Sequence, residues 1–180
     1  MTTSFFSWLL LTLTLVQQGN LILWNATRKL SWEDFKANPD PRSSNAALTS
    51  SSINIEFGYD EERLQYAIRC AFDKTRSWVR VRNNDVLAHE QGHFDIAEIH
   101  ARKLNKAMRE YRFNGRTVSH DVNGIYDSIM NLHRDMQNQY DKETDYSRNR
   151  TNQEEWLKKI QQQLQDLASY ANYQALVKKE

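Results

Sequence analysis

The spacing of apolar residues changes near residue 85, and this change most constrains what the chain can fold into. Between residues 53 and 72 apolar side chains recur at every second position, in one run around Ile55 and another around Ile68. The stretch GYDEE between the two runs is typical of a turn, so together they predict an antiparallel hairpin. Residues 77–81, with the sequence SWVRV, are expected to form a third strand.

After residue 85 the period becomes 3.6, and this predicts three helices. The first is expected over residues 85–111 and the second over residues 119–142. The third should begin at Thr151, as an N-cap that forms a capping box with Glu154. Strands followed by helices indicate an α+β fold, in which a small antiparallel sheet packs on a helical layer.

Length, charge and cysteine content exclude several classes of protein. The chain has 180 residues, which suits one domain. Its 24 Lys and Arg residues against 23 Asp and Glu residues leave a net charge of +1, so no nucleic-acid partner is expected. Cys70 is the only cysteine, which rules out an intramolecular disulfide and a multi-cysteine zinc site.

The N-terminal region is predicted to be an export leader. Residues 5–16, FFSWLLLTLTLV, form an apolar run that suits a signal peptide and is short for a membrane span. No Lys or Arg precedes the run, and QQGN after it differs from the usual small-residue cleavage site. A first strand, a buried helix or an uncleaved anchor are the alternatives. We expect residues 1–19 to be a signal peptide and residues 20–180 a single domain, secreted or in the cell envelope, with no integral membrane domain beyond the leader.

The sequence HEQGH places His89, Glu90 and His93 in the pattern H-E-x-x-H on the first predicted helix. Four residues turn a helix roughly 40° beyond a full revolution and raise it about 6 Å, so the two imidazoles can share one zinc ion. Glu90 lies roughly 100° from His89, where it could take a proton from zinc-bound water without binding the metal. The alternative is that these are ordinary surface or core histidines.

Helical geometry assigns the neighbouring residues to other roles. Glu98 projects from the opposite face, and Asp95 also points elsewhere, as expected for a salt bridge or a loop anchor. His100 returns to the ligand face but lies about 10 Å along the axis from His93, so it should line the cleft or pack. Gly92 at mid-helix costs about 1 kcal/mol relative to alanine, which suggests that another group approaches closely there.

The third zinc ligand must therefore come from another part of the chain. His133 lies on the apolar stripe of the second helix, where a lone histidine is more often a core residue than a ligand. Residues 140–147, YDKETDYS, place three acids and two tyrosines in a short stretch, and several of them could reach a metal.

Three motifs resemble a bacterial family of unknown function that is described as predicted secreted zinc-dependent proteases. They are LSWEDF, LAHEQGHFDIAE, and YDKET followed by Gln and Trp, and the resemblance covers about residues 24–160. It implies that His89 and His93 bind zinc and that Glu90 is the catalytic acid/base, within a zincin-like α+β domain. It also implies structural roles for four residues of the first motif, Leu30, Trp32, Asp34 and Phe35.

The chain departs from this family at one position. Members tend to read T-x-H-G after the YD-x-E segment, whereas this chain has Tyr146 in place of that histidine. The family's histidine would be an attractive third ligand, and Tyr146 in its place could bind zinc through its phenolate oxygen.

The favoured function is a zinc metallopeptidase that hydrolyses a peptide or protein substrate, with Glu90 as general base. An extended peptide could then pair with the strand predicted at residues 77–81. One alternative is a catalytically weak or inactive zinc-binding protein with a structural or interaction role in the envelope, which the apolar stripe of the last helix favours. A zinc-dependent hydrolase that acts on other bonds is another.

Overall fold

The computed structural model describes residues 19–173 and the backbone of residues 177–179. Their architecture is α+β, with a small antiparallel sheet and three helices, as the change in hydrophobic period predicts. The strands are β1 (Leu21–Leu23), β2 (Ala47–Leu48), β3 (Ser51–Tyr59), β4 (Leu64–Asp73), β5 (Trp78–Val79) and β6 (Val177–Lys179). The helices are α1 (Asn84–Glu110), α2 (Val118–Thr144) and α3 (Arg150–Asp166), with 3₁₀ turns at Trp32–Asp34 and Ala168–Tyr170.

The predicted hairpin is confirmed and forms the centre of the main sheet. β3 and β4 pair antiparallel, with Ile55 opposite Ile68, and β1 and β6 pair with the other edge of β4. Alternate side chains of β4, including Tyr66 and Cys70, are fully buried, because one face of the sheet packs on α1. Cys70 is therefore a core residue.

The predicted third strand is shorter than expected and belongs to a different sheet. Only Trp78 and Val79 are in strand conformation, and they pair with Ala47 and Leu48 of β2 instead of extending the hairpin. The turn after β4 explains the change, because the backbone and the hydroxyl of Ser77 both donate hydrogen bonds to the Asp73 carbonyl, at 3.0 and 2.7 Å. This turn directs the chain away from the edge of β4.

The first two helices begin and end within two residues of their predicted bounds. The predicted N-cap of α3 is wrong. Asn149 caps the helix by accepting a hydrogen bond from the backbone N–H of Asn152 at 3.1 Å, and Thr151 lies inside the first turn. Asparagine is at least as good an N-cap as threonine, so Asn149, which lies two positions before Thr151, caps the helix.

Helix α1 is the central element of the domain. It packs against β3 and β4 on one side and against α2 and α3 on the other. Because it is enclosed, its polar residues are buried along with its apolar ones. The buried polar set is His89, Glu90, Asp95, Glu98, His100, Arg102 and Asn105.

No helix within the described residues has the length and apolar composition needed to cross a bilayer. Residues 1–18, which carry nearly all of the predicted leader, lie outside the described residues. The export leader therefore stays a prediction.

Candidate metal centre

Two helices bring three potential ligand atoms together. His89 and His93 lie one turn apart on α1, with their Nε2 atoms 3.1 Å from each other. Asp141, in the last turn of α2, places Oδ1 3.1 Å from the first of these nitrogens and 3.0 Å from the second. His89, His93 and Asp141 therefore form a triad that could hold a metal ion.

The dimensions of this triad suit a small divalent cation. Ligands about 2.0–2.1 Å from a tetrahedral zinc ion lie about 3.3–3.4 Å from one another. The three observed separations, 3.0–3.1 Å, are slightly shorter than this. Two imidazoles and one carboxylate are also a donor set that zinc accepts readily.

The second nitrogen of each imidazole lies near an oxygen atom of another side chain. The Gln137 amide donates to the His93 carbonyl at 3.0 Å and to His133 Nε2 at 2.9 Å, so its oxygen faces His93 Nδ1 at 2.5 Å. The Thr144 hydroxyl donates to the Tyr140 carbonyl at 2.7 Å and so offers a lone pair to His89 Nδ1 at 3.5 Å. These contacts are compatible with protons on both Nδ1 atoms, the arrangement found in metal-bound histidines.

With both protons on Nδ1, three lone pairs converge on one point. Two imidazole Nε2 atoms and the Asp141 carboxylate repel one another unless a cation or protons lie between them. The pKa shifts point the same way. Burial opposes the charged form of His93, but the Asp141 hydrogen bond and the charge of Glu90 outweigh it and raise the pKa. Burial likewise opposes ionisation of Asp141, but hydrogen bonds with both histidines lower its pKa. The site thus stabilises positive charge.

Glu90 lies beside this triad, and its side chain faces the same cleft. It is only 4% exposed. Its Oε2 atom is buried, and no hydrogen-bond partner for it is found among the described residues. A buried carboxylate oxygen without a donor is costly to the fold, and a water molecule beside the triad could supply that donor.

The close approach predicted at Gly92 is confirmed, and Tyr140 is the group that approaches. Its ring stacks on His89, with centroids 4.6 Å apart and planes at 18°, and meets the His93 ring edge-on at 5.0 Å. A Cβ atom at position 92 would lie 2.8 Å from the Cζ atom of Tyr140. Glycine at this position therefore allows Tyr140 to hold both imidazoles in place.

The triad opens into a cleft of about 380 Å³. One wall is formed by residues 45–51, which include β2, and the other by α1 and the end of α2. The strand predicted as a peptide-binding edge, residues 77–81, does not line this cleft, because β2 lies between it and the metal centre. Ala47 and Leu48 of β2 line the cleft instead.

Tyr146, the residue in place of the family's histidine, also lines the cleft but has a different environment from the triad. It belongs to a left-handed turn in which Asp145, Tyr146 and Ser147 have φ values of 49°, 52° and 74°. Its side chain is 48% exposed, and the Arg148 guanidinium lies 5.8 Å from its ring centroid. Asp141 supplies the third ligand atom of the triad, and ligation by Tyr146 stays a prediction.

The sequence contained the signal for Asp141 without singling it out. Asp141 is one of three acids in residues 140–147, and the other two have structural partners. Glu143 accepts a hydrogen bond from Trp156 Nε1 at 2.7 Å, and Asp145 forms an ion pair with Arg148. Only the packing of α2 on α1 shows which acid faces the histidines.

The other polar residues of α1 are structural, as helical geometry predicts. Asp95 accepts hydrogen bonds from Trp24 Nε1 at 2.7 Å and Gln91 Nε2 at 2.8 Å, and so anchors the N-terminal segment. Glu98 accepts from Arg102 Nε at 2.7 Å and from the Tyr173 hydroxyl. Neither carboxylate reaches the triad.

His100 and His133 pack against each other, with ring centroids 5.4 Å apart. Burial lowers the pKa of each to about 4, so both are neutral near pH 7. His100 Nδ1 donates to the Ile96 carbonyl at 2.9 Å, as expected for a packing residue. His133 also lines the metal cleft and contacts the centre through Gln137.

The segment LSWEDF supports the back of α1. The backbone N–H of Leu30 donates to Gln91 Oε1 at 2.8 Å, within the HEQGH sequence itself. Leu30 and Phe35 are buried in the core, and Asp34 accepts hydrogen bonds from the backbone of Ser31 and from Arg28. These contacts are structural and position α1 relative to the sheet.

A protein-family model described as "Bacterial protein of unknown function (DUF922)" matches residues 15–149. The matched region includes α1, α2 and the whole triad, and it ends just before α3. No curated protein matches the chain significantly, and no solved structure does.

Proposed function

This chain belongs to that bacterial family of unknown function, and we propose that it is an exported zinc-dependent metallopeptidase with a zincin-like centre. The observation that carries the proposal is the convergence of three lone-pair donors beside Glu90, whose buried Oε2 has no partner among the described residues. A triad with both Nδ1 protons committed to Gln137 and Thr144 is arranged for a cation.

His89, His93 and Asp141 would hold the zinc ion. When bound, zinc lowers the pKa of a coordinated water to about 7 and polarises a carbonyl group. Glu90 accepts the proton of the attacking water and passes it to the leaving amine. Tyr140 and Gln137 hold the imidazoles in the orientation that this requires.

The shape of the cleft favours a peptide as the substrate. The Ala46 carbonyl accepts from Arg80 N–H at 2.7 Å, and Ser50 N–H donates to Ser77 Oγ at 2.9 Å, so these residues direct their backbone groups toward β5. Because backbone groups alternate sides along a strand, those of Ala47 and Thr49 point toward the cleft. An extended peptide that pairs with this edge would run past the triad.

Two measurements on the purified protein test the proposal. Elemental analysis should find about one zinc per chain. Wild-type protein should cleave members of a mixed peptide library, and Glu90→Gln should retain zinc and lose cleavage by about 10²–10⁴-fold. Glu110→Gln, an exposed acid near the end of the same helix, serves as the matched control. A zinc-free native protein, or Glu90→Gln at the wild-type rate, would refute the proposal.

The same experiment separates the alternatives. Bound zinc without cleavage by the wild type would indicate a structural or interaction protein, and cleavage of non-peptide esters alone would indicate another hydrolase. The apolar stripe predicted for the last helix gives an interaction role little support, because Ile160 and Leu164 are buried in the core. Leu157 and Leu167 of the same stripe are half-buried.

Export is the remaining part of the proposal. It is supported by the apolar run over residues 5–16 and its length. Fractionation of cells that express the full chain, followed by N-terminal sequencing, tests it. Protein found in the cytoplasm with an intact N-terminus would contradict export.

A further inference from the structure

A second cleft adjoins the metal centre, and its lining is rich in arginine. We infer that this second cleft binds a carboxylate of the peptide substrate, either an acidic side chain or the free C-terminus. The inference rests on the proposed peptidase function and adds a substrate preference to it. The cleft has a volume of about 590 Å³, which is within the range of small-ligand sites.

The two clefts are continuous. Five residues line both of them: Asn45, Ala46, Val86, Tyr146 and Ser147. The second cleft opens at the N-terminal end of β2, the strand that lines the cleft of the triad. A peptide paired with β2 would therefore present one of its ends or side chains to the second cleft.

Positively charged side chains outnumber negatively charged ones in the lining of this second cleft. Arg80, Arg148 and Arg150 contribute three cations, whereas Asp85 is the one acid among the residues that line it. Arg150 pairs with Asp85, and Arg148 pairs with Asp145, which is outside the lining. The whole chain has a net charge of only +1, so this concentration is a local feature.

Arg80 forms no ion pair with any carboxylate of the described residues, so its positive charge is not neutralised in this way. Its guanidinium donates to the backbone carbonyls of Asp40, Ser43 and Asn45 at 2.6–3.0 Å. The side chain of Asp40 itself pairs with Arg42. Arg80 thus shapes the wall of the cleft and contributes a fixed positive charge.

Two helix N-termini add to this positive field. Asn83, Asp85 and Val86 belong to the start of α1, and Arg150 is the first residue of α3. The N-terminal ends of both helices carry partial positive charge that favours an anion. This contribution strengthens the preference that the arginines create.

Arg148 and Arg150 are the residues that can turn toward a ligand. Their side chains are 68% and 74% exposed, and a guanidinium binds a carboxylate through two parallel hydrogen bonds. Because water and salt screen exposed charges, the preference should be moderate, about fivefold. The same exposure makes both residues suitable for substitution without loss of the fold.

The test measures peptide binding to zinc-loaded Glu90→Gln protein, which avoids turnover. The probes are fluorescent hexapeptide mixtures with an amidated C-terminus and glutamate fixed at each position in turn. Matched mixtures carry glutamine instead, and a third set carries glutamine with a free C-terminal carboxylate. Fluorescence anisotropy then gives the affinity of each mixture.

We expect glutamate at one position, or the free C-terminus, to bind about fivefold more tightly than its neutral counterpart. Adding Arg148→Gln and Arg150→Gln should reduce that difference to less than about twofold, because only Arg80 and the helix N-termini then supply positive charge. Arg63→Gln is the matched control, because Arg63 pairs with Asp60 three residues away as Arg148 does with Asp145. The Arg63→Gln variant should keep the preference for the carboxylate.

Equal affinity for charged and neutral mixtures, or an undiminished preference after the double substitution, would overturn the inference. If the wild type cleaves peptides in that case, the proposed peptidase function still stands. If no mixture binds and none is cleaved, both the proposed function and this inference fail.

Discussion

The front and back faces of α1 both bury polar groups, but these groups differ in whether other residues donate hydrogen bonds to them. On the back face, Asp95 and Glu98 accept hydrogen bonds from donors that include Trp24, Arg102 and Tyr173. On the front face, the Nε2 atoms of two histidines meet a carboxylate, and a second carboxylate, Glu90, has an oxygen for which the described part of the chain offers no hydrogen-bond partner.

The difference separates stability from function within one helix. A buried acid that receives internal donors is part of the fold, because its partners replace the water it lost. A group of buried acceptors without enough donors weakens the fold unless a ligand completes it. Burial alone therefore does not identify a site, whereas the balance of donors and acceptors does.

The largest expected effect comes from removing a front-face ligand. In His93→Ala the zinc content should fall from about one ion per chain to background, because two donors hold zinc far less tightly than three. Elemental analysis after dialysis measures this. His120→Ala, an exposed histidine in the first turn of α2, should retain its zinc; equal zinc loss in both variants would contradict the assignment.

The next largest effect is a loss of stability on the back face. Glu98→Leu should destabilise the protein by about 3–5 kcal/mol, because the buried Arg102 guanidinium loses its partner. Thermal unfolding should shift by about 10 °C for a domain of this size. Glu110→Leu, at an exposed position of α1, should change stability by less than about 0.5 kcal/mol. A Glu98→Leu variant that keeps wild-type stability but loses zinc would contradict the structural role assigned to the back face.

A smaller effect is expected from the partner that orients a front-face ligand. Gln137→Leu removes the acceptor of His93 Nδ1 and should weaken zinc binding by about 10–100-fold. Competition with a chromophoric chelator measures the affinity. Gln139→Leu, an exposed position of α2 that bonds Glu143, provides the comparison and should bind zinc like the wild type.

The smallest effect distinguishes two helical glycines. Gly92→Ala should cost about 1–2 kcal/mol, because the new Cβ displaces Tyr140 from the imidazoles. Gly124→Ala should stabilise α2 by about 1 kcal/mol, because the space around it is open. Denaturant unfolding measures both. A gain in stability from Gly92→Ala would show that Tyr140 is not fixed by this contact.

Local patterns in the sequence were sufficient where one element decides the outcome. The hairpin follows from alternation in two neighbouring runs, and the separation of His89 and His93 from Glu98 follows from helical geometry. A close contact at Gly92 was also predictable, since glycine is unfavourable in a helix. Its partner, Tyr140, was not, because it lies on another helix.

The features that the sequence did not determine depend on packing between distant elements. Asp141 is distinguished from Glu143 and Asp145 only by the way α2 lies on α1. The partner of β5 depends on where residues 47 and 48 fold back, which no local pattern encodes. The N-cap of α3 was ambiguous because two nearby residues, Asn149 and Thr151, both offer a side-chain oxygen.

The partners of the back face also determine when the newly made chain is able to finish folding. Tyr173 follows Glu98 by 75 residues, and Leu164, whose carbonyl accepts from Arg102, follows Arg102 by 62. Translation must therefore proceed past residue 173 before the charges buried on the back of α1 have all their partners. Until then Glu98 lacks the donor that the Tyr173 hydroxyl supplies, so the back of α1 is completed only when the C-terminal segment packs against it.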